Sequence, residues 1–291
     1  MKKLLMISIG LVGLLAGCSN TTVDDNDKIN IITSYYPYQL ITEELGGDYV
    51  NVESIYPVDS DAHSYEMTPM QTMDLQDADL IIITNIEEDA KIYNSLKEDA
   101  NVVIVDSEEE EHAEDEGEEH VHGSHSWLSP HRGEDAVIAI ADALIDLDAT
   151  NKLVYEENKS KLVSKLEELD GVYTEFGANQ SKPIVATHDA YSALEEDYGI
   201  QFITLYGAHH DDEPTTKDVI NTVDTIKEQQ IGTIFVEQGD KSNPVMRQIA
   251  DEAAVDVETL YTLETESSHK SFTSIADFYE YNLKMFELGN E

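Results

Sequence analysis

Residues 150–176, TNKLVYEENKSKLVSKLEELDGVYTEF, form the longest helical pattern in the chain. Apolar side chains recur every three or four residues with Lys and Glu between them, as in a helix with one buried face. The recurring positions are Leu162, Leu166, Leu169, Tyr173 and Phe176. At a rise of about 1.5 Å per residue, this helix would be roughly 40 Å long, the width of a whole domain. The stretch contains no proline, so we interpret it as a rigid connector between two lobes.

Strand and helix patterns alternate on the N-terminal side of this connector. Apolar runs predict strands at 29–34, 50–56, 80–83 and 102–105. Helical patterns occur at 38–45, after Thr68-Pro69, at 89–98, and from Ser129-Pro130 onward. Ser129 is a good N-cap, and Pro130 fits the first helical turn. This order favours a parallel sheet with helices on its faces.

The C-terminal side repeats the same alternation. Strands are predicted at 183–187, 201–205, 232–237 and 255–260, and helices at 190–198, 216–229, 244–254 and 274–288. We therefore expect an α/β fold of two parallel-sheet lobes bridged by one long connecting helix. The predicted boundaries are 29–148 for the N-terminal lobe, 149–178 for the connecting helix and 179–291 for the C-terminal lobe.

The first 28 residues have the features of an export signal followed by a tether. Two lysines precede an apolar segment, 4–15, that is too short to span a membrane but suits a secretion signal. Leu15-Ala16-Gly17-Cys18 then resembles a bacterial lipobox, in which the cysteine is lipidated. We expect 1–17 to be a signal peptide and 18–28 to be a lipidated, polar tether. The protein would then be extracytoplasmic and anchored to the bacterial cell membrane. An ordinary signal peptide with an incidental cysteine is the alternative.

The composition excludes several classes of partner and site. The chain has 17 Lys and Arg against 61 Asp and Glu, a formal net charge of −44. This acidity argues against nucleic acid and against an anionic membrane surface as partners. Cys18 is the single cysteine, which excludes intramolecular disulfides and CxxC metal sites.

The most acidic stretch lies within residues 107–124. Nine of the thirteen residues from 108 to 120 are Asp or Glu and two more are His, so the stretch cannot bury enough apolar surface to order itself. We expect a mobile loop containing His112, His120 and His122. Two interpretations stay open: a low-affinity loop that collects metal, or an acidic insertion that only keeps the protein soluble.

Four potential metal ligands follow predicted strands. His63 and His125 come after strands of the first half, and His188 and Glu264 come after strands of the second half. Ligands bind beyond the carboxyl ends of parallel strands. If the two halves face each other across a cleft, three imidazoles and one carboxylate can converge there. Such a set suits a tetrahedral zinc ion.

Several segments together resemble the zinc/manganese solute-binding lipoproteins of ABC importers, over nearly the whole mature chain. The segments are His63-Ser64-Tyr65-Glu66 with Thr68-Pro69, then His125-Ser126-Trp127-Leu128-Ser129-Pro130, then Thr187-His188, and finally the Leu-x-x-Leu-Glu that ends at Glu264. The resemblance implies two α/β lobes bridged by one long helix. It also implies that His63, His125, His188 and Glu264 are the metal ligands.

The resemblance further implies a cargo and partners. Family members that bind manganese have a carboxylate where His188 stands, so Zn²⁺ is the expected cargo and Mn²⁺ the alternative. The protein would capture the ion outside the membrane, as a monomer, and deliver it to an ABC permease and its ATPase. The chain departs from the family pattern at Met67 and at Gln238-Gly239, where family members usually have proline and Pro-Gln.

Other side chains compete for a place in the site. Glu258 and Glu266 lie close to Glu264 in the sequence. His209 and His210 follow a predicted strand and are either a polar surface loop or auxiliary ligands. We expect His131 and His269 to lie on the surface.

Two other classes of function are alternatives to transport. A zinc-dependent hydrolase would need an open coordination position and a general base, but the chain contains neither HExxH nor GxSxG. A surface adhesin is compatible with export, but no sequence feature identifies a ligand for it.

Overall fold

The computed structural model describes residues 28–62, 64–85, 89–106, 125–206, 214–238 and 243–291. Strands and helices alternate along these residues. The strands are β1 Ile29–Thr33, β2 Val50–Ser54, β3 Leu80–Ile83, β4 Val102–Ile104, β5 Ile184–His188, β6 Phe202–Tyr206, β7 Thr233–Val236 and β8 Asp256–Thr259. The α-helices are α1 Tyr36–Gly46, α2 Pro69–Asp77, α3 Ala90–Tyr93, α4 Pro130–Leu147, α5 Lys152–Asn179, α6 Ser192–Tyr198, α7 Thr216–Gln229, α8 Pro244–Ala253 and α9 Ile275–Gly289.

The N-terminal half contains a four-stranded parallel sheet in the order β2-β1-β3-β4. Successive side chains of a strand point to opposite faces, and β3 is buried on both. Leu80 and Ile82 belong to the core shared with α1 and α4, whereas Ile81 and Ile83 pack with Leu75 of α2. Burial on both faces explains why β3 is an unbroken apolar run.

The C-terminal half contains two parallel pairs, β5-β6 and β7-β8, with β5 lying next to β7. Ile234 and Val236 of β7 pack with Val223 of α7 and with Met246 and Ile249 of α8. These helices therefore cover one face of the strands, and α9 packs against β5 and β7.

Helix α5 contacts elements of both halves. It packs against α1 and α4 of the N-terminal half and against α6 and α9 of the C-terminal half. Tyr173 is fully buried and its hydroxyl donates to the backbone oxygen of Tyr279 over 2.9 Å. The helix ends at Asn179, and at Gly177 it packs closely against the end of α6, since a Cβ there would lie 2.0 Å from the backbone oxygen of Tyr198.

The α/β class, the parallel sheets and the long helix are confirmed. The predicted N-caps Ser129 and Asn243 both accept hydrogen bonds from the first turns of α4 and α8. The helix predicted at 89–98 is wrong beyond Tyr93, because Asn94 and Ser95 favour turns over helix.

The predicted signal peptide, Cys18, nearly all of the tether and the acidic loop lie outside the described residues. Within the described ranges, no helix combines the length and apolar character needed to cross a membrane.

Candidate metal centre

His125, His188 and Glu264 lie together in the interior of the protein. One ligand atom from each lies within 4.8 Å of the others. His125 Nε2 lies 2.7 Å from Glu264 Oε1, and His188 Nε2 lies 3.7 Å from the same oxygen. The exposed fractions of the three residues are 1%, 0% and 8%. Three of the four predicted ligands therefore converge on one buried point.

His188 is placed by the sheet of the C-terminal half. It is the last residue of β5, a fully buried strand, and it is in register with Tyr206 of β6. The sequence analysis placed it just after the strand, so that boundary was wrong by one residue. The strand end fixes the backbone of His188, and the buried surroundings restrict its ring.

His125 is placed by an unusual backbone conformation and by Trp127. Its φ of 83° is left-handed, and it precedes a short 3₁₀ turn, Ser126–Leu128. Trp127 is buried, and its indole Nε1–H donates to the backbone oxygen of Thr262 over 2.6 Å. The hydroxyl of Tyr279 donates to the backbone oxygen of Trp127 over 2.7 Å. Both contacts bind the His125 segment to the C-terminal half.

Glu264 lies beyond β8, on the segment that Trp127 holds. The preceding residue, Leu263, is fully buried with a φ of 57°. A non-glycine residue with positive φ costs free energy and persists only where packing enforces it. Left-handed backbone thus occurs at His125 and beside Glu264.

One tyrosine responds to the charge of the site. Burial raises the pKa of Tyr191 well above its ordinary value, and the nearby Glu264 carboxylate adds a smaller rise. The hydroxyl of Tyr191 therefore stays neutral beside Glu264 at physiological pH.

His63 itself lies outside the described residues, but its preceding segment contacts the residues that follow Glu264. The backbone N–H of Asp59 donates to the backbone oxygen of Glu266 over 2.9 Å. The hydroxyl of Thr265 donates to the backbone oxygen of Ser60 over 3.2 Å. These bonds hold the 59–62 segment beside the cluster.

The other candidates fall into two groups. His131 and His269 are exposed, as predicted, and Glu258 and Glu266 are half-buried outside the cluster. The remaining histidines lie outside the described residues: His112, His120, His122, His209 and His210.

Sequence reasoning missed Glu237. Its Oε1 contacts Nδ1 of His188. Glu237 follows β7 directly, so the strand-end argument that selected His188 applies to it equally.

The donor set fits a borderline metal ion. Ligands of a tetrahedral zinc with bonds of about 2.0–2.1 Å lie roughly 3.4 Å apart. The two Nε2-to-Oε1 distances, 2.7 and 3.7 Å, bracket that value. Small shifts of the two imidazoles about Glu264 would bring these atoms to the spacing of zinc ligands, with one position left for a fourth ligand.

Comparisons with known proteins agree on one family. A sequence profile described as ZnuA, zinc-uptake complex component A periplasmic, matches residues 31–287. The zinc-binding lipoprotein AdcA of Streptococcus pneumoniae strain R6 is 30% identical over 304 residues, which covers 98% of this chain and 60% of AdcA. The chain thus spans less than two thirds of that relative.

A second relative and the solved structure of a single domain are matched over most of their length. The high-affinity zinc uptake system protein ZnuA of Bacillus subtilis is 27% identical over 272 residues, which covers 86% of this chain and 85% of that protein. The crystal structure of the Zn(II)-bound ZnuA-like domain of S. pneumoniae AdcA has a TM-score of 0.72 at 26% identity and covers 91% of this chain and 100% of that domain.

Proposed function

Because the chain belongs to the ZnuA family of zinc-uptake components, we propose that it is the zinc-binding component of an ABC metal importer. The ion is cargo for this protein and takes no part in catalysis. The family consists of solute-binding transport components and not enzymes, so we set the hydrolase alternative aside.

One observation supports this proposal most directly: the buried convergence of His125, His188 and Glu264. Two imidazoles and one carboxylate, drawn from both halves of the chain, suit Zn²⁺ better than Mn²⁺, which prefers oxygen ligands. A bound ion would replace the hydrogen bond between His125 and Glu264 and relieve the cost of burying these polar groups.

We propose His63 as the fourth ligand. The hydrogen bonds of Asp59 and Ser60 to the residues after Glu264 support it, because they bring the His63 segment beside the cluster. A fourth protein ligand would close the coordination shell, as expected for cargo and not for a catalytic zinc.

The remaining parts of the proposal concern location and partners. The lipobox-like sequence supports lipidation at Cys18, and the relative AdcA is named a lipoprotein. We propose that the protein acts as a monomer outside the cell membrane and delivers zinc to a permease with its ATPase. We also propose two lobes, 29–148 and 179–291, joined by α5.

The proposal is tested by metal competition. Mature protein stripped with a chelator is titrated with zinc and manganese against a chromophoric chelator. Wild type should bind one zinc tightly and prefer it to manganese. The zinc affinity of His188→Ala and of Glu264→Ala should fall by more than 10–100-fold, the loss typical when a residue that supports a metal ligand is changed.

Glu258→Ala serves as the matched control, because Glu258 is a half-buried carboxylate close to Glu264 in the sequence. It should bind zinc as wild type does. Wild-type affinity in both ligand variants would refute the site.

A further inference from the structure

We propose that Glu237 is a positioning residue for the zinc centre: its carboxylate holds the Nδ1 side of His188 so that Nε2 faces the metal. This inference rests on the proposed function, because it takes His188 as a zinc ligand. The ligand set that the family resemblance implies gives Glu237 no role.

The two ring nitrogens of His188 face different carboxylates. Nδ1 contacts Glu237 Oε1, whereas Nε2 faces Glu264 Oε1 at 3.7 Å. The Nε2 atom of His125 lies 2.7 Å from that same Glu264 oxygen. The metal position is therefore on the Nε2 side, and Glu237 is on the other side of the ring.

This arrangement selects one tautomer. A carboxylate beside Nδ1 accepts a hydrogen bond from Nδ1–H, which leaves Nε2 with the lone pair that a metal needs. Carboxylate–histidine–zinc relays of this kind orient the ring and make the ligand nitrogen more basic. His188 is fully buried, so its Nδ1–H needs a partner from the protein itself, and the Glu237 carboxylate is in place to accept it.

The fold keeps Glu237 in place. It follows β7, whose pairing with β8 continues through a bond of 2.9 Å from the Leu260 N–H to the backbone oxygen of Val236. The next residue, Gln238, reaches the Thr265 hydroxyl through its side-chain amide over 3.4 Å. One turn thus contacts both His188 and the segment that contains Glu264.

Charge balance also supports a role for Glu237 at the zinc centre. Zn²⁺ with Glu264 as its one carboxylate ligand would leave a net positive charge in a buried site, which is unfavourable unless a counter-charge lies nearby. Glu237, with a side chain 17% exposed, supplies that charge through the imidazole of His188. The centre is then neutral overall.

The test compares Glu237→Ala and Glu237→Gln with wild type in the full mature chain. Zinc affinity is measured by chelator competition, and the His188 tautomer is read from nitrogen-15 imidazole shifts of the metal-free protein. His188→Ala identifies the His188 signals. Zinc X-ray absorption gives the coordination number.

We expect Glu237→Ala to weaken zinc binding 10–100-fold and to convert His188 from the Nδ1–H form to a mixture of tautomers. Glu237→Gln keeps a hydrogen-bond acceptor and should retain the Nδ1–H form, with an affinity between those of Ala and wild type. The number of ligands on zinc should not change in either variant. Glu228→Ala, an exposed carboxylate on α7, should behave as wild type.

Distinct outcomes overturn distinct claims. If His188→Ala and Glu264→Ala lose zinc but Glu237→Ala keeps wild-type affinity and tautomer, the positioning role is wrong and the proposed function stands. If Glu237→Ala removes one ligand from zinc, Glu237 is a direct ligand and the inference fails. If His188→Ala binds zinc as wild type does, the proposed function itself fails.

Discussion

Trp127 connects the two halves of the chain through one side chain. It packs on Tyr35 of the N-terminal half with ring centroids 4.4 Å apart, while its indole N–H bonds to Thr262 in the C-terminal half. This one residue therefore fixes the segment that contains His125 against both halves.

Replacing Trp127 with Phe should destabilise the metal-free protein by about 2–4 kcal/mol. The change leaves the Thr262 carbonyl unpaired in the interior and opens a cavity beside Tyr35. Urea unfolding measures the loss. Tyr281→Phe is a suitable control, because it removes a bond of 3.2 Å to Thr259 within one half and should cost only about 0.5–1.5 kcal/mol. Equal losses would argue against a special role for Trp127.

Asp89 gives the protein a pH-dependent stability. Burial raises the pKa of Asp89 from 3.8 to about 6, although the Thr84 N–H that it accepts opposes the rise. Between these two values the folded state retains a proton that the unfolded state releases. The contribution of Asp89 to stability therefore falls as pH rises through this window, by on the order of 3 kcal/mol in all.

Asp89→Asn should remove this dependence, because Asn can still accept the Thr84 N–H but has no charge to bury. The stability of the variant relative to wild type should be unchanged with pH below about 4 and should rise between pH 4 and 6. Denaturant unfolding of the metal-free proteins across that pH range measures the difference in the free energy of unfolding. A difference that stays constant with pH would contradict the prediction.

Helix α8 ends on a residue that suits its position poorly. Ala254 has a φ of 59° and is exposed just beyond the last helical residue, Ala253. This left-handed position is the one that glycine usually occupies at helix ends. Ala254→Gly should raise stability by about 0.5–1 kcal/mol, whereas Ala253→Gly, at the last helical residue, should lower it by up to a similar amount. Thermal melts of both variants test the opposite signs.

Elements whose signals are local could be predicted from the sequence. The Asn243 cap, the Ser129-Pro130 start and the apolar run of β3 depend on neighbouring residues, and each was placed within a residue or two. His125, His188 and Glu264 were selected because strand ends share an edge in parallel sheets. Their convergence depends on how the two halves meet, which periodicity does not specify.

The sequence could not predict features that depend on tertiary packing. The contact of Glu237 with His188 depends on β5 and β7 lying side by side, an order that the sequence does not state. Likewise, the left-handed backbone at His125 and Leu263 follows from packing, since neither residue type requires it. The close packing of α5 against the end of α6 at Gly177 is a tertiary contact of the same kind.

The whole molecule should be stabilised by the proposed cargo. His125 comes from one half and His188 and Glu264 from the other, so an ion bound at the proposed site would link the halves as α5 does. Zinc at about 100 times its dissociation constant should add about 2.7 kcal/mol to the free energy of unfolding, since the unfolded chain cannot reproduce the site. Scanning calorimetry should show a higher Tm in wild type and no rise in His188→Ala.

The acidic loop should be dispensable for this stabilisation. Deletion of residues 108–120 removes eleven Asp, Glu and His residues but none of the proposed ligands. One tight zinc site should remain, and only weaker binding should disappear, as measured by calorimetric titration. Loss of the tight site on deletion would show that the loop contributes a ligand.

The position of Trp127 has a practical consequence. It is the single tryptophan of the chain, and its ring centroid lies 5.1 Å from that of His125. All indole emission from the protein therefore originates beside the proposed cargo. Metal binding or release at the site should change the intensity or wavelength of that emission. The fluorescence of the unlabelled protein should therefore show whether the site is occupied.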